Sequence, residues 1–535
     1  MSTPALIRAP DHFPTTTENP PKSQSMLPRE KKLALVLVAA CIAACIGVVV
    51  FRTAWPFTER AVVEDLAEAS DSTVTVRSSH LTYFPIPGCV LERVEFRHGA
   101  NAWTLAIIDK LTIEGSYSGF LTRHVPRVRV DGGRLSIQPF GSNVTFKTQH
   151  SNVVIEQVVA HGVAVEFASN DPQENPFRFD VHDAVLRDVQ WGSPIRYELQ
   201  VHNPEPSGEI VTRGKFGGWT TGRPGDTPIS GEYTFEQADL STYGGIAGML
   251  ASKGKYGGVL QHIDIAGSAD VPDFEVKSGG HKVDLATQFD AFVDAIHGDT
   301  FLKRVEAHIG HTKIVAQGSI AGATDRDGKI ALLELSAQGG RIEDILGLFV
   351  ESHRSPMSGA LAFRTKVEIP PGGASFFKKV KMQGSFGVDE GNFSKSETQK
   401  NVNELSAGAR GEKIEDAETV LTDLKGRMTL DDGIARFSDL SFGVPGAAAR
   451  MYGNYNLLTE KIDLHGRMRV DAKISKTTTG VKSVLLKAID PLFKKKKTGE
   501  IVPVHISGTY GHPRFGLDLT KPSPSNSDKS GGPAH

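Results

Sequence analysis

Asp325, Asp327, Gly328 and Glu334 in "ATDRDGKIALLE" fall at positions 3, 5, 6 and 12 of a calcium-loop pattern. Such a loop needs a carboxylate at position 1, where this chain has Ala323. Its flanks, "KIVAQGSIAG" and "ALLELSA", read as strands rather than helices. A hairpin turn at Asp325–Lys329 explains the same residues. His308 and His311 in "HIGH" are the next metal-ligand candidates. On a strand a spacing of three puts them on opposite faces, so they read as surface or turn histidines. No H-E-x-x-H occurs. "GMLASKGKY" comes nearest to a phosphate loop, but Met249 stands where Gly is required and Tyr256 where Ser or Thr is. There is no G-x-S-x-G elbow. With no paired carboxylates, nucleophile or cofactor loop, the expectation is a protein that is not an enzyme and uses no metal or cofactor.

The elements that would position any site are strands. In "HKVDLATQFDAFVDA", Val283, Leu285, Phe289, Ala291 and Val293 alternate with Lys282, Asp284, Gln288, Asp290 and Asp294. Phe292 breaks the pattern. Period 2 gives one apolar and one wet face. The texture recurs. "RVRVDGGRLSIQ" reads as a hairpin turning on Asp-Gly-Gly, and "VAHGVAVEF" resembles it. "KGRMTLDDGIARFSDLSF" and "HGRMRVDAKIS" read as further strands. One phrase is written twice, as "IDIAGSADVPDFEV" (Ile263–Val276) and "VHISGTYGHPRFGL" (Val504–Leu517). Both copies read as strand, turn, strand, with Pro at a strand start or edge. Helical patterns are few: about Glu59–Ala69, Arg341–Phe349, and Gly480–Phe493. The last carries an apolar stripe that includes Leu485, Ile489 and Leu492. Lys494, Lys495, Lys496 and Lys497 close it. It reads either as a cap on one end of a sheet or as a membrane-surface helix.

Composition bounds these readings. The chain has 535 residues, 23% charged and 39% apolar, which suits a folded protein. A net charge of −2 gives no electrostatic reason to expect nucleic acid as a partner. Cys41 and Cys45 lie in an apolar segment and Cys89 is alone, so the rest of the chain has no disulfide framework.

That apolar segment, Leu33–Phe51, holds no charge. As a helix it would reach roughly 29 Å, the thickness of a bilayer core. Arg29, Lys31 and Lys32 precede it, and Trp55 and Phe57 follow. The basic leader places the N-terminus in the cytoplasm. A cleaved signal peptide would have a shorter core and a small-x-small site, and "VVVFRTAWP" offers none.

Several phrases together resemble the AsmA family of bacterial envelope proteins. The anchor runs into "RAVVEDLAEASDSTVTVRSSHLTYFPIPGCVLERVEF", which is similar to the family's opening. "ADLSTYGGIAGMLASKGKYGGVLQHIDIAGSADVPDFEV" and "SPMSGALAFRTKVEIPPGG" resemble its central region. "DLSFGVPGAAARMYGNYNLLTEKIDLHGRM" and "PVHISGTYGHPRFGLDL" resemble its C-terminal domain. The resemblance covers about Leu33 to Leu519. It implies an inner-membrane-anchored protein of a Gram-negative envelope, linked to outer-membrane assembly or to phospholipid movement between membranes. It also implies a long, curved antiparallel β-sheet with an apolar groove, and no catalytic residues.

The expected fold is therefore mainly β: a transmembrane helix, then an elongated curved sheet with a few short helices. The expected segments are a cytoplasmic tail 1–32, the span 33–51, β regions 52–240 and 241–400, a C-terminal domain 401–519, and a tail 520–535. Some 25–30 strands spaced roughly 4.8 Å apart would extend on the order of 120–140 Å. Val283, Leu285, Phe289, Val293, Ile506, Phe515 and Leu517 are the candidates for a lipid groove. Closed β-domains with dry cores, built for protein contacts, satisfy the same alternation. Expected partners are the inner membrane, phospholipid, and a periplasmic or outer-membrane protein. A reporter active only in the periplasm, fused after Thr520, should be active. Activity of a cytoplasm-specific reporter at that position would reverse the topology.

Overall fold

Period-2 patterning is realised strand after strand from Ser72 onward. The computed structural model describes residues 57–518 apart from 100–102, 120–123, 138–152, 169–175, 219–222, 244, 278, 323–327, 351–354, 373, 395–420, 446, 471–500 and 510–511. The unit beginning at Glu59 opens with helix α1 (Glu59–Ser70), then β1 (Ser72–Thr82), β2 (Gly88–His98), β3 (Trp103–Glu114) and β4 (His124–Ile137). Next come β5 (Val154–Phe167), β6 (Phe177–Val189), β7 (Ile195–Pro204), β8 (Ser207–Phe216), β9 (Pro228–Asp239) and the short β10 (Ile246–Ala247). The middle holds β11 (Met249–Val259), β12 (His262–Val276), β13 (Val283–Asp294), β14 (Asp299–Ile309), β15 (Thr312–Gly322) and β16 (Lys329–Arg341). Helix α2 (Ile342–Leu346) leads to β17 (Met357–Ile369), and α3 (Phe376–Lys379) leads to β18 (Lys381–Phe393). The described chain closes with β19 (Thr422–Asp431), β20 (Ile434–Val444), β21 (Ala447–Asn456), β22 (Lys461–Val470), β23 (Ile501–Thr509) and β24 (His512–Leu517).

These 24 strands form one curved sheet in chain order. Each pairs antiparallel with the next, with two exceptions. β10 lies on β12, leaving β9 to pair with β11. β4 and β5 run parallel. A parallel pair needs a connection of a dozen or more residues, and the stretch 138–153 supplies that length.

The parallel pair corrects an expectation. "RVRVDGGRLSIQ" is no hairpin but part of β4, and "VAHGVAVEF" lies within β5. Gly132 (φ +74°) and Gly162 (φ +64°) are left-handed residues at matching places in the two strands. Asp131 pairs with His161 and Gly133 with Val163, so both strands bulge together and the register is kept. The positive φ at Gly132 is one that side-chain-bearing residues rarely adopt. A turn-forming pair can thus serve as a bulge.

The repeated phrase is likewise one strand in its first copy. Ile263–Val276 lies within β12, and Pro272 sits where the pairing with β13 jumps from Val271–Leu285 to Phe274–Val283. Proline lacks the N–H that a ladder requires, and a bulge tolerates that. The second copy does turn, between β23 and β24. "KGRMTLDDGIARFSDLSF" forms the β19–β20 hairpin as read. The expected helices near Glu59 and Arg341 are present. β15 and β16 form an antiparallel hairpin around the calcium-like segment. Among the described residues no helix is long and apolar enough to cross a membrane. Leu33–Phe51 and Gly480–Phe493 lie outside the described residues.

At the start of the sheet α1 packs against β1 and β2. There Leu91 and Val94 are wholly buried, and Cys89 lies beside them in β2. Burial in this apolar setting pushes the Cys89 thiol up to about 12. In a chain carrying Cys41→Ser and Cys45→Ser, Cys89 should resist maleimide at pH near 8 and label fully once urea unfolds the protein. Rapid labelling of the folded chain would show this end of the sheet to be open.

Candidate functional site: a sheet with two chemical faces

Following the hydrogen-bonded partners across the sheet traces a single row of residues. It starts at Ser79 and passes through Leu91, Leu111, Val130, Ala160, Ala184, Leu199, Thr212, Tyr233 and Gly254. It continues through Gly267, Phe289, Val305, Ala316, Leu335, Thr365 and Gly384. It ends through Met428, Phe437, Gly453, Leu464, Ile506 and Phe515. Every strand except β10 contributes one residue, and none is charged. Partners in register project to the same face.

One residue along, the other face reads differently. From Ser78 to Gln200 the row is Ser, Glu, Lys, Asp, His, Asp, Gln. It runs on through Val211, Thr234, Lys253, Ser268, Gln288, Glu306 and Val315. Ser336, Arg364, Ser385, Arg427 and Asp439 complete it. Val211 and Val315 are its two apolar members. The sheet is amphipathic along its whole ladder.

On the apolar face large rings lie over glycines. The Tyr233 ring sits where a Cβ on Gly254 would come within 3.0 Å, and Phe289 Cζ stands equally close to Gly267. Tyr197 and Tyr256 reach toward each other over Gly214 and Gly231, and their hydroxyls meet. Thr212 Oγ1 joins them, 2.7 Å from the Tyr256 hydroxyl. Burial raises the pKa of Tyr197, so its hydroxyl stays neutral.

Toward the middle of the sheet this face wraps round its own connections. Val276, Ile309, Leu348 and Phe377 are buried together, with Val283, Leu285, Phe376 and Leu457 packed against them. Leu457 belongs to the β21–β22 turn, yet it also packs on Val367, Val380, Leu430 and Ala435. Those contacts fold the face inward around α3 and the residues after α2. The β12–β13 turn holds that second segment in place: His281 N donates to Gly347 O (2.7 Å) and Gly280 N to Leu348 O (3.0 Å). Asp344 accepts from His311 N (2.9 Å) and Thr312 Oγ1 (2.8 Å).

The groove candidates therefore fall in different settings. Phe289 and Ile506 belong to the uncharged row. Phe515 takes the row's last register position. Val283 and Leu285 meet the packed cluster. Val293 pairs with Ile263, and Leu517 with Val504. Ile506 also packs beside Met451 and Met468 in a further apolar cluster. The alternation of β13 is as read: Asp284, Gln288 and Asp290 are exposed on the other face. Phe292 breaks the pattern because it stacks on that wet face, between His262 (4.2 Å) and Phe301 (4.5 Å). His308 and His311 are both exposed. Leu485, Ile489, Leu492 and Lys494–Lys497 lie outside the described residues.

A trough of about 1260 Å³ opens on the polar face over β6–β14. Its walls are two polar rows, Gln200, Lys253 and Glu306 belonging to one, and Glu198, Arg213 and Asp290 to the other. The lining mixes both signs of charge. Two clusters of metal-ligand type also lie on this face: His182, His202 and Glu209, and Asp463, His465 and His505. Sequence reading missed both. The second had a local signal, Asp463 and His465 at strand spacing two. The first had none, because its members come from three strands.

No known protein family matches the chain, no curated protein is similar to it, and no solved structure matches it.

Charge pairing on the polar face has a pH signature. Lys313 Nζ (2.6 Å) and Arg304 hold the half-buried Glu306 carboxyl at about 2, below its ordinary 4.5. Above pH 4.5 this carboxyl is ionised in both the folded and unfolded chain, and its contribution to stability is whole. As pH falls the unfolded chain takes up the proton first. The contribution shrinks, and it is gone once pH passes about 2. Thermal melts of Glu306→Gln against the parent should therefore differ near neutrality and converge in acid. Added salt should reduce the difference at neutral pH, since the Lys313 and Arg304 side chains are exposed.

Proposed function

We propose that this chain is an AsmA-like envelope protein without enzymatic activity. In this reading it is anchored in the inner membrane through Leu33–Phe51, and its sheet stands in the periplasm. The apolar face binds phospholipid acyl chains and conducts them between membranes. The observation that carries the reading is the uncharged row running unbroken from β1 to β24. A charge anywhere along such a track would be an obstacle, because an acyl chain gives it no partner. Each methylene taken out of water gains about 0.8 kcal/mol, so even partial cover of a fatty chain holds it. The glycines of the row, with rings laid over them, keep the track smooth. The polar face keeps the sheet in water. The resemblance to the AsmA family supports the membrane anchor and the lipid.

A second reading rests on the trough. Its mixed charges suit a protein surface better than a lipid tail, which favours a scaffold for outer-membrane protein assembly that carries no lipid. The two faces separate the readings. A photo-crosslinking residue at Phe289 or Leu199 should capture phospholipid in intact cells, and one at Gln288 or Asp290 should not. Protein adducts from Gln288, with no lipid at Phe289, would make the scaffold the function.

A further inference from the structure

We propose that His182, His202 and Glu209 bind a divalent transition-metal ion of the zinc class on the polar face of β6, β7 and β8. His202 and Glu209 stand directly opposite each other in the β7–β8 hairpin. His182 reaches them through a bulge. The β6–β7 pairing jumps from Val181–Val201 to Asp183–Gln200, leaving His182 as the extra residue in β6. Bulges re-aim side chains, and this one sends an imidazole across the intervening strand. His182 Nε2 lies 3.4 Å from Glu209 Oε2.

The Glu209 carboxylate is half satisfied. Its Oε1 pairs with His202 Nδ1 at 2.8 Å. Its Oε2 is shut away from solvent and has no hydrogen-bond partner. A shielded carboxylate oxygen without a partner is destabilising. The neighbour across the next ladder makes matters worse, since Glu209 is paired in register with Glu236. Like charges directly opposed repel. A cation answers both problems.

The spacing suits a small metal ion. Two ligand atoms each about 2.1 Å from a tetrahedral centre stand about 3.4 Å apart. Two imidazoles and a carboxylate favour zinc-like ions over calcium or magnesium, which take oxygen ligands. His202 can ligate through Nδ1 while its Nε2 faces Ser207 Oγ at 3.3 Å, an outer partner that fixes the ring. His182 is 49% exposed, so the ion remains open to solvent and exchangeable. The Asp463 cluster lacks the same argument. Asp463 Oδ1 pairs with His505 Nε2 at 2.7 Å, and His465 Nδ1 pairs with Asp518 at 2.9 Å. Hydrogen bonds satisfy it without an ion.

The test is titration of the detergent-purified full chain, stripped with chelator, with Zn²⁺ by calorimetry and with Co²⁺ by absorption. One site should appear, with the intensity of low-coordinate cobalt. His182→Ala and Glu209→Gln should each weaken it about tenfold or more, and His505→Ala should leave it unchanged. Glu209→Gln should also raise the melting temperature of the metal-free chain, since it removes the negative charge set against Glu236. Circular dichroism checks that each variant folds. Absence of saturable binding overturns the proposal. So does binding that survives His182→Ala, or that is lost instead with His505→Ala.

Discussion

Everything in this protein depends on register. A strand's side chains alternate with a period of two, so a slip of one residue at any ladder would send every later apolar residue to the wrong face. The uncharged row shows that no such slip has accumulated between Ser79 and Phe515. This holds although the ladders carry bulges, as at Leu302–Val305, Ala337–Gly340 and Phe437–Leu440. Bulges bend and twist a strand, and here they leave the apolar row continuous.

The two faces give the sheet its economy of parts. Among the described residues no second layer covers most of the apolar side. Where cover exists it comes from the chain's own connections: α1 at the start, and α3 with the residues after α2 in the middle. The faces also divide the chemistry. Hydroxyls, glycines and rings line one side with no ionised group in the row. Ion pairs, histidine–carboxylate contacts and the open trough occupy the other. Lys303 illustrates the polar side, with its ammonium 2.6 Å from Asp264 and 5.9 Å from the centre of the Phe292 ring.

The sequence disclosed what is local. β13 was legible because Asp284, Gln288 and Asp290 mark one parity and Leu285 and Phe289 the other. The strand flanks of "ATDRDGKIALLE" were legible because their apolar residues are β-branched or alternate. "RVRVDGGRLSIQ" misled because Asp-Gly-Gly offers left-handed backbone, and left-handed backbone serves a bulge as well as a turn. The partner along which the bulge forms is β5, whose pairing residues lie about thirty positions on. Leu457 could not be placed against the cluster of Val276, Ile309, Leu348 and Phe377 for the same reason: only the wrapping of the face brings them together. His182, His202 and Glu209 were invisible because a bulge, not a spacing, makes them neighbours.

The chain-order ladder has a consequence for how the protein is made. Almost every strand pairs only with the strand before it and the strand after it, so the ladder joins segments that are neighbours in sequence. A sheet of this kind can grow by adding one hairpin arm at a time as the chain emerges, much as repeat proteins propagate from neighbour to neighbour. The β4–β5 junction is the exception. There pairing resumes in parallel, which requires a connection long enough to return along a strand. The sheet therefore has two stretches that pair locally, β1–β4 and β5–β24, and one closure between β4 and β5 that unites them.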